Sequence, residues 1–387
     1  NLGSGMNGGV LALAHDGTNL YAGGQFTTAG GLPANYIAKW NGTTWTNLGS
    51  GMNFFVDCLL WKDGQLYAGG DFSTAGGVSA SRLAQWNGTA WTNLGSGLSG
   101  RVFALTRNGS DLYAAGQFTT AGGVSASRIA RWNGTSWTNL GTGVDNDVLA
   151  LSHDGTNLYA GGQFYTAGGS TANYVAQWNG ASWTNLGSGA GNNVRALEWS
   201  AGTLYAGGDF WTNGGGTGNY VAKWNGTSWT NLGTGLNGST YALDHEGSNL
   251  WVMGSFTMAG GNSAVRAARW TTPIVDRPGV EPASGSWDGG YPVTIYGSNL
   301  ADPTDTPLVT LCGVTAVVTA VQGSTQLVVN AGTTDVAGSG DVRVESQTYG
   351  VTSQSNGFTY VPAGPYLTVL GTNGAAIASG SGASADK

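Results

Sequence analysis

The sequence predicts an all-β protein, a six-bladed β-propeller followed by a β-sandwich, on three observations. Trp40, Trp86, Trp132, Trp178, Trp224 and Trp270 stand 46 residues apart, each in nearly the same context, as in Tyr36-Ile-Ala-Lys-Trp-Asn-Gly-Thr-Thr-Trp45. Four strand-like pieces recur in every period, in the first copy Val10–Ala14, Leu20–Phe26, Tyr36–Trp40 and Trp45–Gly49. After Thr271-Thr272-Pro273 the repeat stops and a different, turn-rich text begins. A fixed period of this length marks one supersecondary unit that cannot bury its apolar face alone. Four antiparallel strands in such a unit make a propeller blade.

Taken in order, each piece has its own reason. Asp16-Gly17, Asp63-Gly64 and Asp154-Gly155 mark the turn between the first two strands. Asn41-Gly42 and its copies mark the turn between the third and fourth, because both residues tolerate positive φ. Whether that loop holds two residues or four, parity places Ala38, Trp40 and Trp45 on one face. Trp86 and Trp91, like their copies, are expected to be buried between blades. The sixth copy lacks its fourth strand, while Asn1-Leu2-Gly3-Ser4-Gly5 repeats the text of Asn47-Leu48-Gly49-Ser50-Gly51. The opening residues are therefore expected to complete the last blade beside Ala264–Trp270, making 1–272 the propeller.

The propeller repeat resembles Trp- and Gly-rich repeats of secreted bacterial propellers, and more loosely kelch-type repeats. The residues that carry this are Leu20–Phe26, Leu66–Phe72 and Leu158–Phe164, with Ala29–Gly31 and the Trp-Asn-Gly-x-x-Trp motif. Residues 273–281 read as a linker. From Pro282 the text runs through Gly289-Gly290-Tyr-Pro-Val-Thr-Ile-Tyr296, Val309-Thr-Leu-Cys-Gly313 and Gly340-Asp-Val-Arg-Val344 to Tyr360. It resembles an IPT/TIG domain, an immunoglobulin-like sandwich, over 282–361. Alternation in Val293-Thr-Ile-Tyr296 supports a sandwich independently. Residues 362–387 resemble the start of a further Ig-like repeat. Tyr366, Leu367, Val369 and Leu370 are candidate assembly residues, a strand expected to seek an open sheet edge in another chain.

Net charge is −7 and no basic cluster is present, which argues against a nucleic-acid partner. No stretch is long and apolar enough to insert in a membrane as a helix. Cys58 replaces an alanine of the repeat and Cys312 lies in the other domain, so neither a disulfide nor a zinc site is expected. His15, His153 and His245 share one repeat position, where Trp61, Arg107 and Trp199 stand elsewhere, and symmetry keeps them far apart. They read as turn residues rather than metal ligands. Six Asn-x-Thr/Ser sequons occur, at Asn41, Asn87, Asn108, Asn133, Asn225 and Asn237, four of them already explained as turns. No sialidase-type Ser-x-Asp-x-Gly-x-x-Trp box, paired-carboxylate loop or Ser/His/Asp set appears. The chain is expected to be non-catalytic, without cofactor or metal.

Function is then expected where copies depart from the repeat. Entering the first strand, one position reads Gly9, Phe55, Arg101, Asp147, Asn193, Ser239, and two residues on stand Leu11, Asp57, Phe103, Leu149, Arg195, Tyr241. Tyr165 and Trp211 interrupt a Thr-rich loop at equivalent places. Phe55, Asp57, Arg101, Phe103, Asp147, Arg195, Tyr241, Tyr165 and Trp211 are the candidate ligand-binding residues, an aromatic and polar set suited to sugars. The family resemblance implies an extracellular surface protein acting in adhesion, display or filament assembly, with other copies, other surface proteins or glycans as partners. A glycan-binding propeller lectin is the alternative.

Overall fold

A computed structural model describes residues 2–387 apart from 201, 214–215, 218, 247–248, 272–279, 282–283, 287, 297–299, 303, 323–324, 362–366, 371–375 and 381–387. The chain divides into two compact units, Asn1–Asp244 with Val252–Ala268, and His245–Trp251 with Arg269–Lys387.

Six antiparallel sheets repeat along the propeller. Blade one has the order Val10–His15, Leu20–Gly24, Ile37–Trp40, Trp45–Asn47, and the next four blades copy it. The sixth sheet has three strands, Thr240–Glu246, Asn249–Gly254 and Ala267–Thr271. Trp40 pairs with Trp45, so the Asn-Gly loop has four residues. Asn41 Oδ1 closes it by accepting from the backbone N–H groups of Thr43 and Thr44, and Gly42 supplies φ 96°. One phenylalanine per blade (Phe26, Phe72, Phe118, Phe164, Phe210, Phe256) is fully buried.

Two devices join one blade to the next. The second indole of each pair is buried and donates Nε1–H to a leucine carbonyl of the preceding turn, Trp91 to Leu48 and Trp137 to Leu94, both at 3.0 Å. The first indole of the pair is half-buried at Trp40, Trp86, Trp132 and Trp178 and buried at Trp224, lying over a turn glycine; a Cβ on Gly49 would be 3.7 Å from Trp86. The expectation that both Trp86 and Trp91 and their copies are mostly buried holds, with the second of each pair the more fully covered in blades one to four. The other device is a glycine of the second strand. A Cβ on Gly23 would lie 2.5 Å from Val56 of the next blade, and one on Gly161 2.5 Å from Val194. Blades approach as closely as they do because nothing is there.

Among the described residues, Leu2–Gly5 do not form the expected strand of the sixth sheet; Asn1 lies outside the described residues. Leu2 instead accepts the Nε1–H of Trp45 at 3.0 Å, the bond Leu48 makes with Trp91 one blade on. Leu2 to Gly5 thus follow the path of a turn laid on blade one, as their sequence identity with Leu48–Gly51 demands.

In the second unit, eight strands between Val280 and Val361 form one curled sheet in which Val314–Gln322 pairs on both sides, with Leu308–Leu311 and Gln326–Asn330. Val293, Ile295, Val309, Leu311, Leu327, Val329, Val342, Val344, Phe358 and Tyr360 build its core. They alternate along their strands as a folded-over sheet requires. Both cysteines are free. In the tail, Leu367–Leu370 is a strand as expected, but it pairs antiparallel with Ala376–Gly380. The candidate assembly strand therefore has a hairpin partner within its own chain; Tyr366 lies outside the described residues.

Candidate functional site, a polar and aromatic belt at one end of the blades

In five blades the first strand slips register by one residue, and the residue bulged out is Leu11, Asp57, Phe103, Leu149 or Arg195. A β-bulge re-aims one side chain without breaking the sheet. Asp57, Phe103 and Arg195, three of the sequence-derived candidates, are such residues.

Backbone bonds hold two more positions beside each bulge. Gln117 N–H donates to the Arg101 carbonyl at 2.8 Å, and Gly116 N–H to the Arg128 carbonyl at 2.9 Å. The same pattern recurs at Phe55, Asp71 and Arg82 and at Asp147, Gln163 and Tyr174. The third member of each set, Tyr36, Arg82, Arg128, Tyr174, Tyr220 or Arg266, has φ between 63° and 72°. Left-handed backbone costs an ordinary L-residue roughly 1 kcal/mol or more, which glycine would avoid. Six large polar side chains kept at six strained positions form a row that the sequence-derived candidates did not include. The column was visible in the text as Tyr/Arg/Arg/Tyr/Tyr/Arg at one repeat position.

The charged members pair among themselves. Arg101 grips Asp57 with Nε and Nη2 at 2.7 and 2.6 Å and lies 5.2 Å over the Phe103 ring. Burial pushes the Asp57 carboxyl up, against the pull of Arg101, so losing Arg101 would leave a buried carboxylate uncompensated. Arg195 holds Asp209 through Nε and Nη2 at 2.8 and 2.7 Å and lies 5.7 Å over Tyr241. Burial works against the Asp209 charge, but bonds from Arg195, Ser239 and Asn193 outweigh it and lower its pKa. Asp147 receives Gln117 Nε2 at 2.7 Å and stands 3.8 Å from Arg128, and Arg82 pairs with Asp71 at 3.3 Å.

Aromatic members make the rest. Phe54 stacks on Phe55 at 4.1 Å with Tyr36 at 5.8 Å from Phe55. Tyr165 and Tyr174 share a hydroxyl bond of 2.9 Å, and Trp211 stands 6.0 Å from Tyr220. Phe54, Tyr165, Trp211 and Tyr241 are exposed. The nine candidates thus come from several blades and make local pairs and ring contacts within them.

In the histidine column, His153 has a structural place. His153 Nε2 lies 2.6 Å from the Arg107 carbonyl and Nδ1 accepts from Gly155 N–H, so Nε2 carries the proton. Trp61 and Trp199, at the same position, stack on Tyr21 and Tyr159 of the preceding blade at 5.4 Å. Among the described residues no group of three or more His, Cys, Asp or Glu could hold a metal.

One titratable group away from the belt sets a pH response. Burial, helped by the Asp244 carboxylate, pushes Glu198 from 4.5 up to about 7. A raised folded-state pKa means that the charged form is penalised in the folded protein. Stability is therefore highest below the unfolded value and falls as pH rises through about 7. Glu198→Gln is expected to raise stability at pH 8 by about 1–2 kcal/mol, allowing for partial exposure, and to change little at pH 4. Thermal unfolding of both proteins at the two pH values tests this; an equal change at both would refute it.

Residues 278–360 match the IPT/TIG domain family, and residues 59–200 match the Rax2 C-terminal beta propeller domain. Two β-domains of known class thus define the chain, a propeller and an immunoglobulin-like sandwich. The computationally designed Ika8 protein is similar at 14% identity, with 91% of this chain and 98% of that one covered and a TM-score of 0.45. The WD40 beta propeller domain of Doa1 is similar at 15% identity over 67% of this chain and 76% of that one, with a TM-score of 0.44. The beta-propeller domain of the trilobed protease from Pyrococcus furiosus is similar at 11% identity over 62% and 77%, with a TM-score of 0.39. No curated protein matches the chain.

Proposed function

We propose that this is a non-catalytic, extracellular adhesion-type protein whose propeller binds neutral glycans along the belt, the sandwich and tail serving display or assembly. Propeller and IPT/TIG domains in one chain are compatible with a surface or adhesion protein. The observation that carries the glycan reading is the strained row of tyrosines and arginines beside exposed aromatic rings. Strain retained at large side chains points to use of those side chains. Arg82, Arg101, Arg128 and Arg195 are each paired with an aspartate, so they favour a neutral ligand over an anionic one. Exposed rings beside hydroxyl, amide and carboxylate groups offer the apolar faces and polar edges of a hexose what each needs.

A glycan array spanning neutral, sialylated and sulfated oligosaccharides tests the reading, with binding expected on neutral members. Tyr165→Ala or Trp211→Ala is expected to weaken that binding about five- to thirtyfold, roughly 1–2 kcal/mol of lost stacking. Tyr174→Gly is expected to weaken it too, while the melting temperature stays level or rises as strain of about 1 kcal/mol is relieved. An array without neutral binders, or binding indifferent to all three changes, sinks the proposal.

A further inference from the structure

Blades four and five carry the same two-ring arrangement one repeat apart. Tyr165 and Tyr174 have ring centroids 5.0 Å apart in blade four, and Trp211 and Tyr220 6.0 Å apart in blade five. The same two places hold Thr27 and Tyr36, Ser73 and Arg82, Thr119 and Arg128, and Thr257 and Arg266 in the other four blades, so a pair of rings stands there in blades four and five alone. Tyr165 is 55% exposed and Trp211 62%, and each presents a ring to solvent. The backbone fixes both pairs alike. Tyr174 N–H donates to the Phe164 carbonyl at 2.8 Å, and Tyr220 N–H to that of Phe210 at 2.7 Å. The Tyr165 carbonyl accepts Asn173 N–H, as the Trp211 carbonyl accepts Asn219 N–H.

Polar groups occupy the step from one pair to the next. At two other junctions the residue in the place of Tyr174 reaches the residue just before the first strand of the next blade. Tyr36 lies 5.8 Å from the Phe55 ring, and Arg128 3.8 Å from Asp147. Asn193 holds the matching place after Tyr174. Its Nδ2 donates to Asp209 at 3.2 Å, and its carbonyl accepts Asp209 N–H at 2.9 Å. Gly208, beside Asp209 in the chain, donates to the Tyr220 carbonyl at 3.1 Å. Rings, then amide and carboxylate, then rings again follow one another from blade four to blade five.

We propose that blades four and five form a two-platform track for one linear, neutral oligosaccharide, with Tyr165/Tyr174 and Trp211/Tyr220 as stacking subsites and Asn193 and Asp209 facing the sugars between them. The proposal rests on the glycan reading above and adds the form of the ligand and where it lies. Sheets packed face to face stand about 10 Å apart, so a single hexose meets one platform and a chain meets both. A site built twice from one repeat suits a ligand that is itself a repeat. Once one sugar unit is stacked, the second platform sees the rest of the chain at high local concentration, which raises affinity without any new kind of contact. Blades two and three offer no second track, because Arg82 and Arg128 stand at the ring position and are held by Asp71 and Asp147.

Calorimetric titration of the full chain tests this with four neutral series, glucose, galactose, mannose and N-acetylglucosamine, each from the monomer to the linear hexamer. In a series that binds, the hexamer is expected to bind roughly a hundredfold tighter than the monomer. Tyr165→Ala and Trp211→Ala are each expected to lower hexamer affinity by on the order of tenfold, since either change leaves one platform. The remaining platform is expected to hold the monomer at its original affinity. Both side chains are exposed, so the variants are expected to melt with the parent. Thr119→Ala, at the matching place of blade three, is expected to change neither affinity. A hexamer bound no tighter than its monomer overturns the track and leaves the glycan reading standing. Loss of hexamer affinity at one ring only, or an equal loss in Thr119→Ala, overturns it in the same way. No binding in any of the four series overturns the track as well, and the glycan array then decides whether the wider reading survives.

Discussion

Trp137→Ala is expected to destabilise the propeller by about 3–5 kcal/mol, the range for truncating a large buried aromatic residue. The side chain is buried, its ring lies 5.4 Å from that of Trp132, and Nε1 donates to the Leu94 carbonyl at 3.0 Å. The change therefore opens a cavity and strands a buried acceptor at a junction between blades. Trp132→Ala, in the half-buried member of the pair, is expected to cost only about 1–2 kcal/mol because less apolar surface is lost. Trp137→Phe keeps most of the volume and isolates the hydrogen bond, for a loss of about 1–2 kcal/mol. Urea unfolding of the three variants measures the ladder. Equal losses for Trp132→Ala and Trp137→Ala would contradict the assignment of the second indole as the inter-blade pin.

That ladder marks where sequence reasoning stops. The 46-residue period announced the blade, and alternation put Ala38, Trp40 and Trp45 on one face. Parity says which residues share a face but not how much of that face a neighbour covers, so it could not separate the half-buried Trp40 from the buried Trp45. The same limit explains the opening segment. The identity of Leu2–Gly5 with Leu48–Gly51 is matched by the same bond to the next blade's indole, yet one leucine is exposed and the other buried. Its exposure depends on what lies behind it, which no local pattern encodes. The belt was visible in part. Variation at Phe55, Arg101 and Asp147 singled out the first strand, but the αL row beside it depends on backbone conformation, and Tyr and Arg carry no propensity signal for positive φ. In the tail, Ala376–Gly380 is too rich in Gly, Ala and Ser to read as a strand, so the partner of Leu367–Leu370 was missed.

Gly116→Ala is expected to cost about 3 kcal/mol, at the upper end for one added methyl group. A Cβ there would lie 2.0 Å from the Arg101 carbonyl oxygen, and the obstacle is backbone, which cannot swing aside as a side chain would. The same distance, between 2.0 and 2.2 Å, recurs at Gly24, Gly70, Gly162, Gly208 and Gly254, so the constraint belongs to the repeat and not to one blade. Ala115 supplies the control one residue away: its methyl is accommodated and fully buried, and Ala115→Gly is expected to cost only about 1 kcal/mol. The larger effect should also reach the belt. Arg101 accepts Gln117 N–H through the carbonyl that the new methyl would push aside, and its guanidinium holds Asp57. Displacing it loosens a part-buried ion pair whose carboxylate burial already disfavours. Gly116→Ala is therefore expected to lose the proposed glycan binding in the fraction that remains folded, whereas Ala115→Gly keeps it. Calorimetric unfolding combined with binding measured below the lowered melting temperature separates the two effects. A stable Gly116→Ala protein would mean that the first and second strands can part at this point without cost, contrary to the close approach that shapes all six blades.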